Sequence, residues 1–348
     1  MTGAMDIDDT WAENPLIVIW EVTRACALAC RHCRAEAIPQ CDPRELDLKE
    51  AERFITQVKK AEPGIFILTG GDPMYRRDLV HLVEYASKQG LRVAMSPSAT
   101  PRFLKAGLGI FREAGLKAVS LSLDGASKAR HDAFRRVPGA WDWTLQACRA
   151  VREAGLSLQI NTTVTRWNID EIEEFLPLLE ELKPQVWSLF QLVPTGRGRM
   201  GDLITGQQME DLFNRLCEVE QHVHYKIKTT EGMHFRRVAL ERWKRAGGPK
   251  PAVGTINDGK GFVFVSHTGD IHPSGFLPIT AGNVRTDELI DVYRNAPLFR
   301  QLRDPKLLKG KCGRCEYKDI CGGSRARAYA MTGDYLWEEP LCIHQPEI

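Results

Sequence analysis

The stretch that decides the fold is Cys26-Ala-Leu-Ala-Cys30-Arg-His-Cys33, in which three cysteines are spaced C-x3-C-x2-C. It directly follows an apolar, β-branched run from Leu16 to Trp20. The sequence therefore predicts a short strand that leads into a cysteine-rich loop. Thiolates are the soft ligands of iron–sulfur clusters, and clustered cysteines in a reducing compartment bind metal more often than they form disulfides.

The number of thiolates in this loop is informative. A cube that only carries electrons is usually held by four cysteines, so three would leave one iron open to a small molecule. A zinc knuckle is an alternative, for which His32 is the only local fourth ligand, and a coincidental grouping is another. Spacing alone favours the cluster and leaves both alternatives open.

Length and composition narrow the protein class. The chain has 348 residues, 43% of them hydrophobic and 26% charged, as is ordinary for a globular protein of one or two domains. The net charge of +2 argues against nucleic acid or an anionic membrane as partner. No apolar run reaches ~18 residues, and the polar start is unlike a signal peptide. With ten cysteines and no secretion signal, we expect a cytoplasmic protein.

Strand and helix signals alternate from residue 16 to about residue 193. The predicted strands are 16–20, 65–68, 91–95, 118–123, 156–164 and 186–193. Helices are expected at about 75–89, 101–114 and 141–154, after a capping box at 47–50, and Pro177 should kink or interrupt a further one. Such alternation implies a parallel sheet with right-handed crossovers. No G-x-G-x-x-G follows the first strand, which argues against a doubly wound dinucleotide fold.

The sequence divides into four predicted segments: a flexible leader (1–15), the strand–helix core (16–195), a bridging segment (196–255) and a small C-terminal module (256–348). Helices are expected at about 206–222, 233–246 and 286–303, and a hairpin with its turn at His267-Thr268-Gly269.

The C-terminal module carries a second cysteine group, Cys312-x2-Cys315-x5-Cys321, with Cys342 farther along. On spacing alone, four thiolates bind zinc as readily as a cluster. Cys41, Cys148 and Cys217 are scattered and are interpreted as ordinary or buried cysteines.

Two strand ends carry polar residues. Gly70-Gly71-Asp72-Pro73 closes the second strand, where glycine lets the backbone approach a ligand, although a plain turn is the alternative. In the fourth strand, Ser120, Ser122 and Asp124 share one face, and in the fifth Gln159, Asn161 and Thr163 do the same. Polar faces at the carboxyl ends of parallel strands suit a polar ligand.

Together these motifs resemble the radical S-adenosylmethionine (SAM) superfamily. The resemblance implies a partial (β/α)6 TIM-like barrel, in the α/β class, with an α+β iron–sulfur module after it. It also implies a [4Fe–4S] cluster on Cys26, Cys30 and Cys33, whose open iron chelates SAM. The reduced cluster would cleave SAM to methionine and a 5′-deoxyadenosyl radical, which abstracts a substrate hydrogen.

The same resemblance assigns SAM contacts. Gly70–Pro73 resembles the G-G-E-P motif that holds the SAM amino group, with Asp72 in place of the usual Glu. Either Arg135 or Arg136 would pair with the SAM carboxylate, unless both form a solvated surface pair. The predicted contacts are Gly70, Gly71, Asp72, Pro73, Ser122, Asp124, Arg135, Asn161, Gln191 and Val193. No catalytic residue is predicted.

The stretch from Cys312 to Tyr329 resembles the SPASM module, which carries auxiliary iron–sulfur clusters. Ser266, Ser274 and Ser324 occupy positions where other members carry cysteine. The resemblance therefore implies one auxiliary [4Fe–4S] cluster, held by Cys312, Cys315, Cys321 and Cys342. With all four ligands supplied by protein, electron transfer is the expected role.

The motifs resemble two SPASM-type groups, one acting on tetrapyrrole side chains and one maturing ribosomal peptides. The fifteen residues before the first strand are too few for a peptide-recognition domain, which favours a tetrapyrrole or other small molecule, although some maturases use a separate recognition protein. A flavodoxin or ferredoxin is the expected reducing partner, with neither nucleic acid nor membrane involved. An electron carrier and a zinc scaffold are the non-catalytic alternatives.

Overall fold

The computed structural model describes residues 10–247, 250–251 and 253–346. Its strands are β1 (Ile17–Glu21), β2 (Ile65–Thr69), β3 (Val93–Met95), β4 (Ala118–Ser122), β5 (Ser157–Val164), β6 (Val186–Gln191), β7 (Lys226–Thr230), β8 (Phe262–Val265), β9 (Asp270–His272) and β10 (Gly282–Asn283). They form one ten-stranded sheet in the order β10-β9-β8-β1-β2-β3-β4-β5-β6-β7.

Helices follow most strands. They are α1 (Thr10–Glu13), α2 (Leu48–Lys60), α3 (Leu79–Lys88), α4 (Pro101–Lys105), α5 (Leu108–Glu113), α6 (Lys128–Arg135), α7 (Ala140–Glu153), α8 (Ile172–Leu182), α9 (Gly206–Val219), α10 (Phe235–Ala246), α11 (Leu289–Asn295), α12 (Pro297–Arg303), α13 (Gly310–Arg314) and α14 (Arg325–Thr332). Within the described residues, none of them combines the length and apolar character needed to cross a membrane.

The predicted partial (β/α)6 barrel is confirmed, because β1 to β6 pair in parallel in chain order. The buried apolar side chains of these strands, such as Val18 in β1 and Leu158 in β5, point outward under the helices. The helices bury apolar side chains in the same core, as Phe54 in α2 illustrates. The capping box at Asp47 and Glu50 that begins α2 is also confirmed.

Two further strands extend the barrel. β7 pairs in parallel with β6, and β8 pairs in parallel with β1. The predicted hairpin is confirmed as β8 and β9, yet it continues the barrel sheet across the predicted boundary at residue 256. The division into four segments stays a prediction. Thr10–Glu13 of the expected leader forms α1, whose carbonyls accept hydrogen bonds from the arginines of α11 and α12.

Some helix predictions need correction. Pro177 does not interrupt α8, because the helix buries a continuous stripe that includes Phe175 and Leu179 against the sheet. The helix expected at 101–114 is split into α4 and α5 by Gly107, which has φ +69°. The one expected near 286–303 is split into α11 and α12, because Pro297 favours an extended residue before it.

Candidate active site

All three cysteines of the first group line one cavity of about 910 Å³, which opens at the carboxyl ends of the barrel strands. The loop is held by its own backbone: Leu28 N donates to Cys26 Sγ at 3.3 Å, and Ala37 N donates to Cys33 Sγ at 3.4 Å. Backbone N–H groups that donate hydrogen bonds to sulfur stabilise metal-bound thiolates.

The electrostatics of this loop fit a cationic group. Burial raises the pKa of the Cys26 thiol to about 11, so the thiolate form requires positive charge nearby. Arg135 supplies part of that charge, since its Nη1 donates to Cys30 Sγ at 3.4 Å. Iron bound by all three sulfurs would supply the rest.

Geometry favours a cluster over a single zinc ion in both cysteine groups. Zinc–sulfur bonds of about 2.3 Å place the sulfurs of a tetrahedral site roughly 4 Å apart. Among the described residues, the one set of at least three metal-ligand side chains whose ligand atoms lie within 4.8 Å of one another is Cys315, Glu316 and His344. Glu316 and His344 are already paired with each other at 2.9 Å. No three sulfurs of either cysteine group, all of them among the described residues, lie within 4.8 Å of one another, which is wider than a tetrahedral zinc site requires and suits a cube.

Gly70 and Gly71 pack tightly against the segment that leads into Cys26. A Cβ on Gly70 would lie 2.5 Å from Thr23 O, and one on Gly71 would lie 2.5 Å from Ala25 O. Gly71 N also donates to Thr23 O at 2.8 Å. Both glycines line the cavity, so their backbone is open to a ligand there.

Asp72 has a structural place in the same loop. Its carboxylate is fully buried and accepts hydrogen bonds from Met74 N, Ser98 N and Thr100 Oγ1 at 3.2–3.4 Å. Burial raises its pKa to about 6. Ser98, which Asp72 fixes, lies 3.4 Å from Cys26 Sγ. Neither Asp72 nor Pro73 lines the cavity, and their contact with SAM stays a prediction.

Asp124 and Arg135 form a buried ion pair beside the cysteine loop. Asp124 Oδ1 also accepts from Thr163 N at 2.6 Å. Burial alone would raise the pKa of Asp124, but the Arg135 guanidinium lowers it overall. Arg135 lines the cavity, whereas Arg136 is exposed and has φ +56° at the end of α6. Of the two arginines considered, Arg135 is therefore the one that faces the site.

The polar strand residues share one surface of the cavity. Ser122 of β4 is the register partner of Asn161 in β5, and both line the cavity. Gln191 and Val193, at the end of β6, line it as well. Both amide atoms of Gln191 are buried and have no hydrogen-bond partner among the described residues. An amide in that position needs a ligand.

Arg197 is a site residue that the sequence analysis missed. It lines the cavity, and its Nε and Nη2 are buried without partners in the described part of the chain. Its backbone N donates to Cys33 O at 3.1 Å, which fixes the turn against the cysteine loop. The turn-rich sequence 194–199 was the available signal, but nothing in it indicated contact with Cys33.

The four cysteines of the second group line a separate small pocket. Burial raises the pKa of Cys315 to about 11 and that of Cys321 to about 12. Glu339 N donates to Cys312 Sγ at 3.3 Å. Arg237 and Lys311 line the same pocket and add positive charge. Partly buried thiols beside cations fit a metal cluster here too.

Hydrogen bonds link the large cavity to the loop of the second cysteine group. Arg236 lines the large cavity and donates through Nη1 to Ile320 O at 2.9 Å. Asn257 also lines the cavity, and its Nδ2 donates to Cys321 O at 3.2 Å. Two side chains of the cavity wall therefore bond directly to the loop that carries the second cysteine group.

The three serines at expected cysteine positions have other partners. Ser324 caps α14, with its Oγ 2.9 Å from Arg327 N, and also hydrogen-bonds to Glu231. Ser266 bonds within the β8–β9 turn to Thr268 Oγ1 at 2.9 Å, and Ser274 accepts from the N–H of Phe276. Each serine has a local structural role.

Sequence comparison finds that residues 20–179 match the Radical SAM superfamily family model. A protein named AdoMet-dependent heme synthase from Oleidesulfovibrio alaskensis is 39% identical, covering 99% of this chain and 92% of its own. Mycofactocin maturase MftC of Mycolicibacterium smegmatis is 30% identical, over 95% of this chain and 83% of its own.

Among solved structures, SuiB of Streptococcus suis, bound to its precursor peptide SuiA, superimposes with a TM-score of 0.73. The match covers 95% of this chain and 76% of that chain at 18% identity. Identity this low shows a shared fold and nothing about substrate.

Proposed function

The chain belongs to the radical SAM superfamily, and from this premise we propose that it completes haem by oxidative decarboxylation of carboxylate side chains on an iron tetrapyrrole. The observation that carries the proposal is the 39% identity to a protein named AdoMet-dependent heme synthase over 99% of this chain. A match confined to the barrel would support SAM chemistry alone, whereas this one includes the cavity wall and the C-terminal cysteines.

The proposed reaction balances for each propionate side chain. When bound, SAM and the [4Fe–4S] cluster supply a carbon radical that takes one hydrogen atom from the substrate. The side chain then loses CO2 and one electron, and the two carbons that stay on the ring become a vinyl group. The reaction therefore needs an electron acceptor close to the substrate, in addition to SAM.

We propose that the residues of the cavity orient SAM between the cysteine loop and the substrate. The backbone of Gly70 and Gly71 would accept the amino group, and Arg135 the carboxylate, with Arg197 as a second cation. Ser122 and Asn161 would contact the ribose, while Gln191 and Val193 would contact the adenine. Asp72, Pro73 and Asp124 would position these contacts from behind.

The second cysteine group is proposed to hold the electron acceptor, as one [4Fe–4S] cluster on Cys312, Cys315, Cys321 and Cys342. The support is that Arg236 and Asn257 belong to the cavity wall and donate hydrogen bonds to the loop of this group. An electron leaving the cavity would cross that wall.

A reducing compartment and a protein reductant complete the proposal. All ten cysteines are free, which supports a reducing compartment such as the cytoplasm. A flavodoxin or ferredoxin would supply the electron that starts each turnover.

Peptide maturation is the second candidate, favoured by the 30% identity to mycofactocin maturase MftC. It ranks lower because that identity is lower than the 39% to the heme synthase. The non-catalytic alternatives are set aside, since the near full-length relatives are named as a synthase and a maturase.

The test is an anaerobic reaction of the reconstituted, reduced protein with SAM and iron coproporphyrin III. We expect 5′-deoxyadenosine together with loss of CO2 from the porphyrin, followed by mass spectrometry and absorption. SAM cleavage with an unchanged porphyrin would contradict the proposed substrate. A parallel reaction with candidate precursor peptides would then test the maturase alternative.

A further inference from the structure

Two lysines of β7 point into the large cavity. Lys226 and Lys228 are two residues apart on one strand, so their side chains lie on the same face, about 7 Å apart at Cα. Both line the cavity and are exposed, whereas Ile227 between them is buried. β7 is one of the strands that the sequence analysis did not predict.

Neither ammonium group has a hydrogen-bond or ion-pair partner within residues 10–247, 250–251 and 253–346. Glu220 also lines the cavity, but its carboxylate is not within ion-pair distance of either lysine. Surrounding protein lowers the pKa of Lys228, with no compensating acidic neighbour. Both side chains are accessible and line the cavity, so an anionic ligand that enters it can pair with the two ammonium groups.

The strand register places the lysines relative to the expected SAM contacts. Asn161 pairs with Ser188, which pairs with Lys228, so Lys228 lies level with Asn161 and two strand spacings away, about 10 Å. Lys226 lies two residues before Lys228 on the same strand, toward the amino-terminal end of the barrel. A group bound by these lysines is therefore displaced from the SAM surface.

Another part of the cavity wall is apolar. Ile17 and Ile19 of β1 line it together with Phe262 and Phe264 of β8, which pair with them in register. The cavity lining thus combines an apolar part with a cationic part. A flat apolar ring with several carboxylates at its edge matches both walls.

We propose that Lys226 and Lys228 bind those carboxylates of the substrate that the reaction leaves intact. This inference rests on the proposed function and names the groups that would fix the macrocycle. The reacting side chain must lie beside SAM, so a second edge of the ring reaches the lysines. The product would keep these carboxylates and the same contacts.

The test measures porphyrin binding by the reconstituted protein, without turnover. Iron coproporphyrin III, with four carboxylates, and haem, with two, are titrated against wild type, Lys226→Met, Lys228→Met and the double variant, using Soret absorption and tryptophan fluorescence. We expect roughly tenfold weaker binding of both porphyrins in each single variant and a larger loss in the double variant. Lys228→Arg should restore most of the affinity.

Two controls separate binding from folding. Lys49→Met removes an exposed lysine of α2 outside the cavity and should leave porphyrin affinity unchanged. SAM affinity should be unchanged in every variant. The melting temperature of Lys228→Met should be close to that of wild type, because the exposed ammonium group has no partner to lose.

The outcomes are distinguishable. If wild type binds the porphyrins and the lysine variants bind them equally well, the proposed role of the two lysines is overturned while the proposed function stands. If only iron coproporphyrin III is weakened, the lysines hold reacting carboxylates and the inference is wrong as stated. If wild type binds neither porphyrin, the proposed function fails, and the proposed role of the two lysines fails with it.

Discussion

The two cysteine groups are built from the same ligand type but differ in number and setting. The three sulfurs of Cys26, Cys30 and Cys33 face a cavity of about 910 Å³. The four cysteines of the C-terminal group line a small pocket of their own, and none of them lines the large cavity. The first group thus has three cysteines, one fewer than the second, and it lies beside a cavity with room for small molecules.

This difference explains how one chain can divide its chemistry. A site with an open coordination position beside a cavity binds and activates a ligand, whereas a fully ligated site exchanges electrons. Arg236 and Asn257 link the two regions through the cavity wall. Under the proposed function, SAM activation would take place at the first group and electron removal at the second.

Removing the first group should have the largest effect. In Cys26→Ala/Cys30→Ala/Cys33→Ala, SAM cleavage should fall to background, and about four irons should remain at the C-terminal group. Iron analysis and 5′-deoxyadenosine formation measure both. Cys41→Ala changes an exposed cysteine outside both groups and serves as control. If the triple variant still cleaved SAM, the first cysteine group would not be the site of SAM cleavage, and the distinction between the two groups would be wrong.

The ion pair beside the first group should matter for stability. Asp124→Asn leaves the buried Arg135 guanidinium without its carboxylate, so unfolding in urea should show a loss of about 3–5 kcal/mol. The exposed pair of Arg130 and Asp170, at 2.9 Å, is the matched control. Asp170→Asn should cost no more than about 1 kcal/mol. Equal losses in the two variants would show that burial of the pair is unimportant.

Asp72 should make stability near the first group depend on pH. Because burial raises its pKa to about 6, the folded state holds its proton more tightly than the unfolded state does. Its contribution to stability is present below about pH 4 and is lost as pH rises through 6. Asp72→Asn, which keeps the hydrogen-bonding shape, should gain up to about 3 kcal/mol relative to wild type between pH 4 and pH 7. A difference independent of pH would contradict this.

Ser324 offers the smallest effect and concerns the second group. Ser324→Ala removes the cap of α14 and should lower the free energy of unfolding by about 1 kcal/mol. Iron content should stay the same, because the serine is not a ligand. Loss of iron with unchanged stability would mean that Ser324 supports the auxiliary cluster rather than the helix.

The sequence predicted the barrel well because its signals are local. Apolar runs gave the six strands, and the Asp47 capping box gave the start of α2. β7 was missed because only Ile227 is apolar between two lysines, so the strand lacks an apolar run. Its lysines face a cavity that exists only after the chain closes.

The candidate site was predicted only in part, because only some of its signals are local in the sequence. Cysteine spacing is visible in sequence, and resemblance supplied the expected SAM contacts. The choice of Arg135 over Arg136 depends on how α6 ends, and the place of Arg197 depends on a turn packed against Cys33. Such long-range contacts leave no local pattern.

The central claim is that the three-cysteine site cleaves SAM while the four-cysteine site takes the substrate electron. It is tested most directly by Cys312→Ala/Cys315→Ala, with 5′-deoxyadenosine and decarboxylated porphyrin measured in one reaction and Cys217→Ala as control. The account predicts that the variant keeps SAM cleavage and loses the vinyl product. Undiminished conversion of the porphyrin by a variant that lacks the second cluster would contradict it.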